Sequence, residues 1–193
     1  MSSARIPLRA TAVAVLVFAL AACSKVGGID ASLASPISND ATYATLGYMW
    51  SGVRAAIAAK REPSTDTFSL PLSYQVLCTR GGSGSYQGTL AGSKTAGNGT
   101  ATLTMTGSLA GCQFDDKVTV TEITASGISI TGSVAIANDT WGAINLHMVA
   151  TSVTVNGIAC PGGVDVIISG TSPSAQPTST GVACGRSGAV PLP

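Results

Sequence analysis

From Phe68 onward apolar and polar residues alternate in short runs. That period of two confines most of the chain to strands with one covered face. Leu70, Leu72, Tyr74, Val76 and Cys78 alternate with Ser69, Pro71, Ser73, Gln75 and Leu77. Leu103, Met105 and Leu109 alternate with Thr102, Thr104, Thr106 and Ser108, and Ile128, Ile130, Val134 and Ile136 with Ser129, Thr131, Ser133 and Ala135. Ile144, Leu146 and Met148 enclose Asn145 and His147, and Val153, Val155, Val164, Val166 and Ile168 continue the pattern. The breaks are rich in turn formers: Gly81-Gly82-Ser83-Gly84, Gly97-Asn98-Gly99, Asp115-Asp116, Ser126-Gly127, Asn138-Asp139, Asn156-Gly157 and Pro161-Gly162-Gly163. Asn156-Gly157 is the clearest hairpin signal, because a two-residue type I′ turn needs positive φ at both positions. Short successive connections predict an antiparallel meander of about seven or eight strands.

One segment has the other period. Over residues 39–61, Tyr43, Leu46, Trp50, Val53 and Ile57 are spaced 3, 4, 3, 4 and fall on one helical face. Ser38, Asn39 and Asp40 offer caps, Lys60 and Arg61 suit the carboxyl end of the dipole, and Pro63 stops the helix. A helix of about 20 residues is about 30 Å long and about 10 Å wide, enough to cover only a few strands about 4.8 Å apart. The sheet must curl around the helix, close into a barrel or fold over as a sandwich. The expected fold is mainly β, a curled meander with the helix packed on its concave side. Strand glycines Gly88, Gly107 and Gly132 permit the curvature.

The N-terminus reads as an address. Arg5 and Arg9 precede an apolar run from Thr11 to Leu20, too short to span a bilayer permanently, and small residues follow. Leu20-Ala21-Ala22-Cys23 resembles the lipobox of bacterial lipoproteins. The resemblance implies that residues 1–22 are a cleaved signal peptide and that Cys23 carries lipid. Several acyl chains on one residue anchor stably, at about 0.8 kcal/mol per buried CH₂. It places the protein in the bacterial cell envelope, and Ser24 resembles the outer-membrane-sorted class of Gram-negative lipoproteins. Residues 23–38 are then the lipidated cysteine and a tether of small residues, two glycines and Pro36. Residues 39–61 and 67–170 form one domain, and 171–193, rich in Pro, Ser and Thr, an irregular tail.

Loss of Arg5 and Arg9 leaves eight basic against nine acidic residues. A mature chain so sparsely charged has no basic patch for nucleic acid. Cys78, Cys112, Cys160 and Cys184 remain after Cys23, an even number that in an exported domain reads as two disulfides. Zinc is disfavoured, since no C-x₂-C pair occurs and His147, the only histidine, lies far from every cysteine in sequence. A short echo favours one of the three connectivities. Cys78-Thr79-Arg80-Gly81-Gly82 precedes Gly88-Thr89, and Cys160-Pro161-Gly162-Gly163 precedes Gly170-Thr171, each unit followed by another cysteine. Equivalent halves pair Cys78 with Cys112 and Cys160 with Cys184, the second bridge stapling the tail.

No catalytic constellation stands out. His147 falls on the polar face as a solvated strand residue, and no Gly-x-Ser-x-Gly elbow accompanies it. Asp115 and Asp116, with Glu122 nearby, lack EF-hand spacing and read as a turn. Glu122 shares the parity of Val118 and Val120, which aims it toward the interior as a candidate perturbed carboxylate. Gly81-Gly82-Ser83-Gly84-Ser85 lacks the Lys and helix start of a phosphate loop and reads as a flexible hairpin loop. Trp50, Tyr86 and Trp141 read as core aromatics. The expectation is a non-enzymatic, lipid-anchored structural or interaction domain without metal or cofactor, held to the membrane through Cys23, its protein partner unspecified. The alternative is a carrier of a lipid or other apolar ligand. A curled sheet capped by an amphipathic helix resembles, in outline, the half-barrels of lipoprotein-sorting and lipid-carrier proteins. A hydrolase built on His147 is the third reading; an acid or nucleophile beside that histidine would favour it, as a large apolar cavity would favour the carrier.

Overall fold

The computed structural model describes residues 35–60, 64–116 and 119–192. The signal segment, Cys23 and most of the tether lie outside the described residues, as do Arg61, Pro63, Lys117 and Val118. One helix, α1 (Asn39–Ala58), precedes nine strands: β1 (Thr67–Gln75), β2 (Gly81–Thr95), β3 (Asn98–Asp116), β4 (Thr119–Ala137), β5 (Thr140–Val155), β6 (Ile158–Ala159), β7 (Val164–Gly170), β8 (Thr178–Ala183) and β9 (Arg186–Pro191). All pairings are antiparallel, in the order β1-β2-β3-β4-β5-β7-β8-β9, with the short β6 pairing β5. The sheet is a curled meander that does not close, with the helix against it on its inner side.

The helix begins where the capping residues place it. Ser38 takes an extended conformation and its side chain accepts a hydrogen bond from the Ala41 amide at 3.2 Å, while Asp40 sits in the positive first turn. Its buried surface is wider than the five-residue stripe. Leu46, Trp50, Val53 and Ile57 are buried, as are Met49, Ala56, Thr42, Thr45, Gly47 and Gly52. Small residues flanking the stripe let the curled sheet approach from both sides. Tyr43 is only half-buried, its hydroxyl donating to the Pro191 carbonyl on β9. At the other end, the Trp141 indole N–H donates to the Lys60 carbonyl at 3.1 Å.

Two bulges set which side chains face the helix. Gly111 (φ 54°) and Gly127 (φ 63°) are extra residues in β3 and β4, where the register slips by one. Beyond Gly111 inward parity switches from Leu103, Met105 and Leu109 to Cys112 and Phe114; across Gly127 it switches from Ile123 and Ala125 to Ile128 and Ile130. Ser126-Gly127 is therefore a bend within one long strand and not a break. The turns at Asn138-Asp139 and Asn156-Gly157 have positive φ at both residues, as type I′ requires.

Three expectations need correction. The tail 171–193 is not irregular: β8 and β9 extend the meander to nine strands, one more than the upper expectation, joined at Cys184-Gly185 with φ 51° and 75°. Gly81 to Ser85 is no flexible loop but the start of β2, paired with β3. The glycines serve close approach, since a Cβ at Gly82 would overlap the Gly111 carbonyl. The helix ends at Ala58, capped by Ala59, short of the expected residue 61.

Candidate functional site

The concave side of the sheet is where a carrier would hold its ligand, and α1 occupies it. Met49, Trp50, Val53 and Ile57 join Tyr86, Leu90, Leu103, Met105, Ile130 and Leu146 in one fully buried cluster. The Tyr86 ring is held between helix and sheet, because a Cβ at Gly52 or at Gly107 would overlap it. Burial without charge raises the Tyr86 hydroxyl above its ordinary value of 10.0. A cavity lined by Leu46, Val166, Ser179 and Arg186 holds about 10 Å³, the room of a single water. Larger hollows open on β1 to β4 under polar side chains: about 360 Å³ beside Ser85, Thr106, Ser108 and Ser129, and about 420 Å³ beside Leu72, Gln87, Thr89 and Thr104.

The histidine has an acid beside it. His147 on β5 and Asp165 on β7 are diagonal neighbours on the outer face, with Nε2 2.7 Å from Oδ1. Composition and spacing do not reveal this pair, because it depends on the β5–β7 register, which follows from the short β6 turning back on the end of β5. The contact can orient the ring. Both side chains are open to solvent, 44% and 65% exposed, where such a pair contributes at most about 1 kcal/mol. Thr131 is the cross-strand neighbour of His147 on β4, so a hydroxyl, an imidazole and a carboxylate lie on three successive strands. They stand on an open sheet face, without the walls that exclude water from a reacting centre.

Glu122 does not point inward. Thr121, Ile123 and Ala125 take the inner face, and Glu122 lies outward with Gln113, whose amide donates to it at 2.9 Å. The parity expected from Val118 and Val120 fails because Cys112 and Phe114, facing inward after the Gly111 bulge, pair with Ile123 and Thr121. Asp115 and Asp116 end β3, their side chains lying outside the described ones. Among the described residues no three His, Cys, Asp or Glu side chains gather as a metal site. Trp50 and Tyr86 are core aromatics; Trp141 is half-buried, edge-on to Phe68 with ring centres 6.2 Å apart.

Both disulfides sit at one end of the sheet. Cys78 is bonded to Cys112 and Cys160 to Cys184, with Cα atoms 5.1 and 4.3 Å apart, the two pairs favoured by the internal echo. The first ties the β1–β2 connection to β3, and the second ties the β6–β7 connection to the β8–β9 turn. The chain enters at this same end: the Ser35 hydroxyl donates to the Cys184 carbonyl at 2.6 Å. Next to it the buried Arg186 guanidinium donates twice to the Ile37 carbonyl, at 3.1 and 2.6 Å. No helix among the described residues is long and apolar enough to cross a membrane.

No protein-family model, curated protein or solved structure matches this chain.

Proposed function

We propose that the protein is a lipid-anchored envelope lipoprotein whose disulfide-braced domain works by surface contact and not by catalysis. The observation that carries the reading is the lipobox-like Leu20-Ala21-Ala22-Cys23 upstream of a domain with two disulfides. Paired cysteines suit an oxidising compartment such as the periplasm or cell surface, where a lipidated Cys23 would reside. Ser24 favours the outer membrane in a Gram-negative cell. The filled concave side supports contact through the outer surface over carriage of an apolar ligand, since a ligand there would have to displace α1 and the buried Trp50. Among the described residues the His147–Asp165 pair is the one feature in favour of a hydrolase, and its exposure supports an ordinary surface contact instead.

The test is the mass of the N-terminal peptide from protein isolated with the cell envelope. The expected result is a peptide starting at Cys23 and carrying acyl chains, with Cys23→Ser releasing an unmodified protein from the membrane fraction. An unmodified Cys23, or acylation that persists in Cys23→Ser, overturns the reading.

A further inference from the structure

The end of the sheet that holds both disulfides also displays the two most exposed large apolar side chains among the described residues. Leu77 is 76% exposed and Ile158 44%. Scattered exposed apolar residues are ordinary on a protein surface. These two are not scattered. Leu77 immediately precedes Cys78, and Ile158 lies two residues before Cys160. Each is thus held out on a segment that a disulfide ties to the sheet, Leu77 through Cys112 and Ile158 through Cys184.

The anchor reaches this end more easily than the other. Ser35 is bonded to Cys184, whose amide donates to Gly163, beside the paired Val164 and Ala150. From the Ala150 row to the β5–β6 turn is five residues of strand, about 17 Å; to the opposite hairpin at Thr140 it is ten, about 33 Å. Cys23 lies twelve residues before Ser35, a span of at most about 40 Å. A bilayer at the disulfide end is within easy reach, whereas one at the opposite end demands an almost straight tether. Polar groups stand at both ends, Asn98, Asn138 and the Lys94–Asp139 ion pair at the opposite one and Arg80, Glu122 and Asn156 at this one, so the reach of the tether decides between them.

Resting on the lipid-anchored reading above, we infer that the disulfide end of the domain lies on the bilayer, with Leu77 and Ile158 inserted at the headgroup–acyl boundary beside the lipid of Cys23. The two side chains add apolar burial to the acyl anchor and fix the orientation of the sheet, leaving its outer face free for partners. The disulfides hold both insertion points in place before the membrane is met.

The test uses the full acylated protein in vesicles of phosphatidylethanolamine and phosphatidylglycerol, with and without acyl-brominated phosphatidylcholine. Leu77→Trp, Ile158→Trp and, at the opposite hairpin, Ala137→Trp are compared; the native Trp50 and Trp141, common to all, supply a constant background. The expected result is a blue shift and loss of most of the added emission in brominated vesicles at 77 and 158, with none at 137. Absence of quenching at 77 and 158 with acylated Cys23 verified by mass overturns the inference and leaves the anchor standing. An unacylated Cys23 overturns the anchor itself. A blue shift without quenching, growing with protein density, means that a second copy covers the patch, and also overturns the inference. Should a substitution disturb folding, deuterium uptake of the unsubstituted protein decides. Protection of residues 76–80 and 156–160 on vesicles, relative to Cys23→Ser in solution, supports the inference, and equal uptake overturns it.

Discussion

Replacing Gly52 by Ala tests the seat of the helix, because two effects of known sign oppose each other at that position. In a helix interior Ala is favoured over Gly by about 0.8–1.0 kcal/mol. If α1 merely lay near the sheet, Gly52→Ala would stabilise the protein by about that amount. In the structure the new Cβ would fall on Cδ2 and Cε2 of Tyr86, a fully buried ring whose other side is closed by Gly107. The ring has nowhere to go, so either it or the helix must shift. Overpacking of this kind costs about 1–3 kcal/mol. The difference predicts a net destabilisation of about 1 kcal/mol. With a urea m-value of about 2 kcal/mol/M, the unfolding midpoint falls by about 0.5 M. The assay is equilibrium urea unfolding of the oxidised protein, followed by circular dichroism. A midpoint that rises in Gly52→Ala refutes the packing of helix on ring. Tyr86→Leu supplies the second half of a double-mutant cycle: with the ring gone, Gly52→Ala is expected to regain the sign set by helix propensity, a coupling of about 2 kcal/mol.

Two further outcomes follow from the same core and its braces. The Tyr86 hydroxyl ionises above its ordinary value of 10.0 in the folded protein because burial disfavours the phenolate. Its neutral form thus contributes stability that is whole below pH 10 and declines as pH rises beyond it, and Tyr86→Phe is expected to flatten that alkaline decline in urea midpoints measured against pH. The disulfides close loops of 34 and 24 residues in sequence separation. Chain entropy then gives each a contribution of roughly 3.5 kcal/mol, so replacing either pair by Ala is expected to lower the thermal midpoint by many degrees, more for both than for one.

The alternation that places Leu103, Met105, Ile144, Leu146 and Met148 inside was legible because each residue lies on an uninterrupted stretch of period two. Legibility stops at the bulges. Gly111 and Gly127 shift parity by one residue within a strand, and nothing in a glycine distinguishes a bulge from a turn until its partner strand is known. Ser126-Gly127 consequently reads as a break, and Glu122 reads as inward-facing. The tail was illegible for a different reason. Its turn is Cys184-Gly185, and a disulfide-bonded cysteine at positive φ is not among the residues that announce a type I′ hairpin. Gly181 and Gly188 oppose each other in β8 and β9, so these strands also lack the apolar alternation that would have marked them.

For the site, the limit was pairing and not composition. His147 and Asp165 are 18 residues apart and meet only because β6 turns back on β5 and lets β7 take its place beside it. Leu77 and Ile158 are separated by two-thirds of the sheet's sequence and share an end through strand direction alone: β1 runs toward it, as β5 does. Leu77 occupies a polar-face position in the alternation, and an isolated leucine there is an ordinary surface residue. It gains meaning when the disulfides, the entry of the chain at Ser35 and the second exposed side chain are found at the same end. A sheet braced at one end, entered by the chain from that end and closed on its concave side by its own helix presents its remaining surface outward. Thr104, Thr131, His147, Ile167 and Thr180 form one continuous row across β3, β4, β5, β7 and β8 of that surface. On the proposed lipid-anchored reading, an orientation fixed at the membrane would turn this row toward the surrounding compartment, as contact with a partner requires.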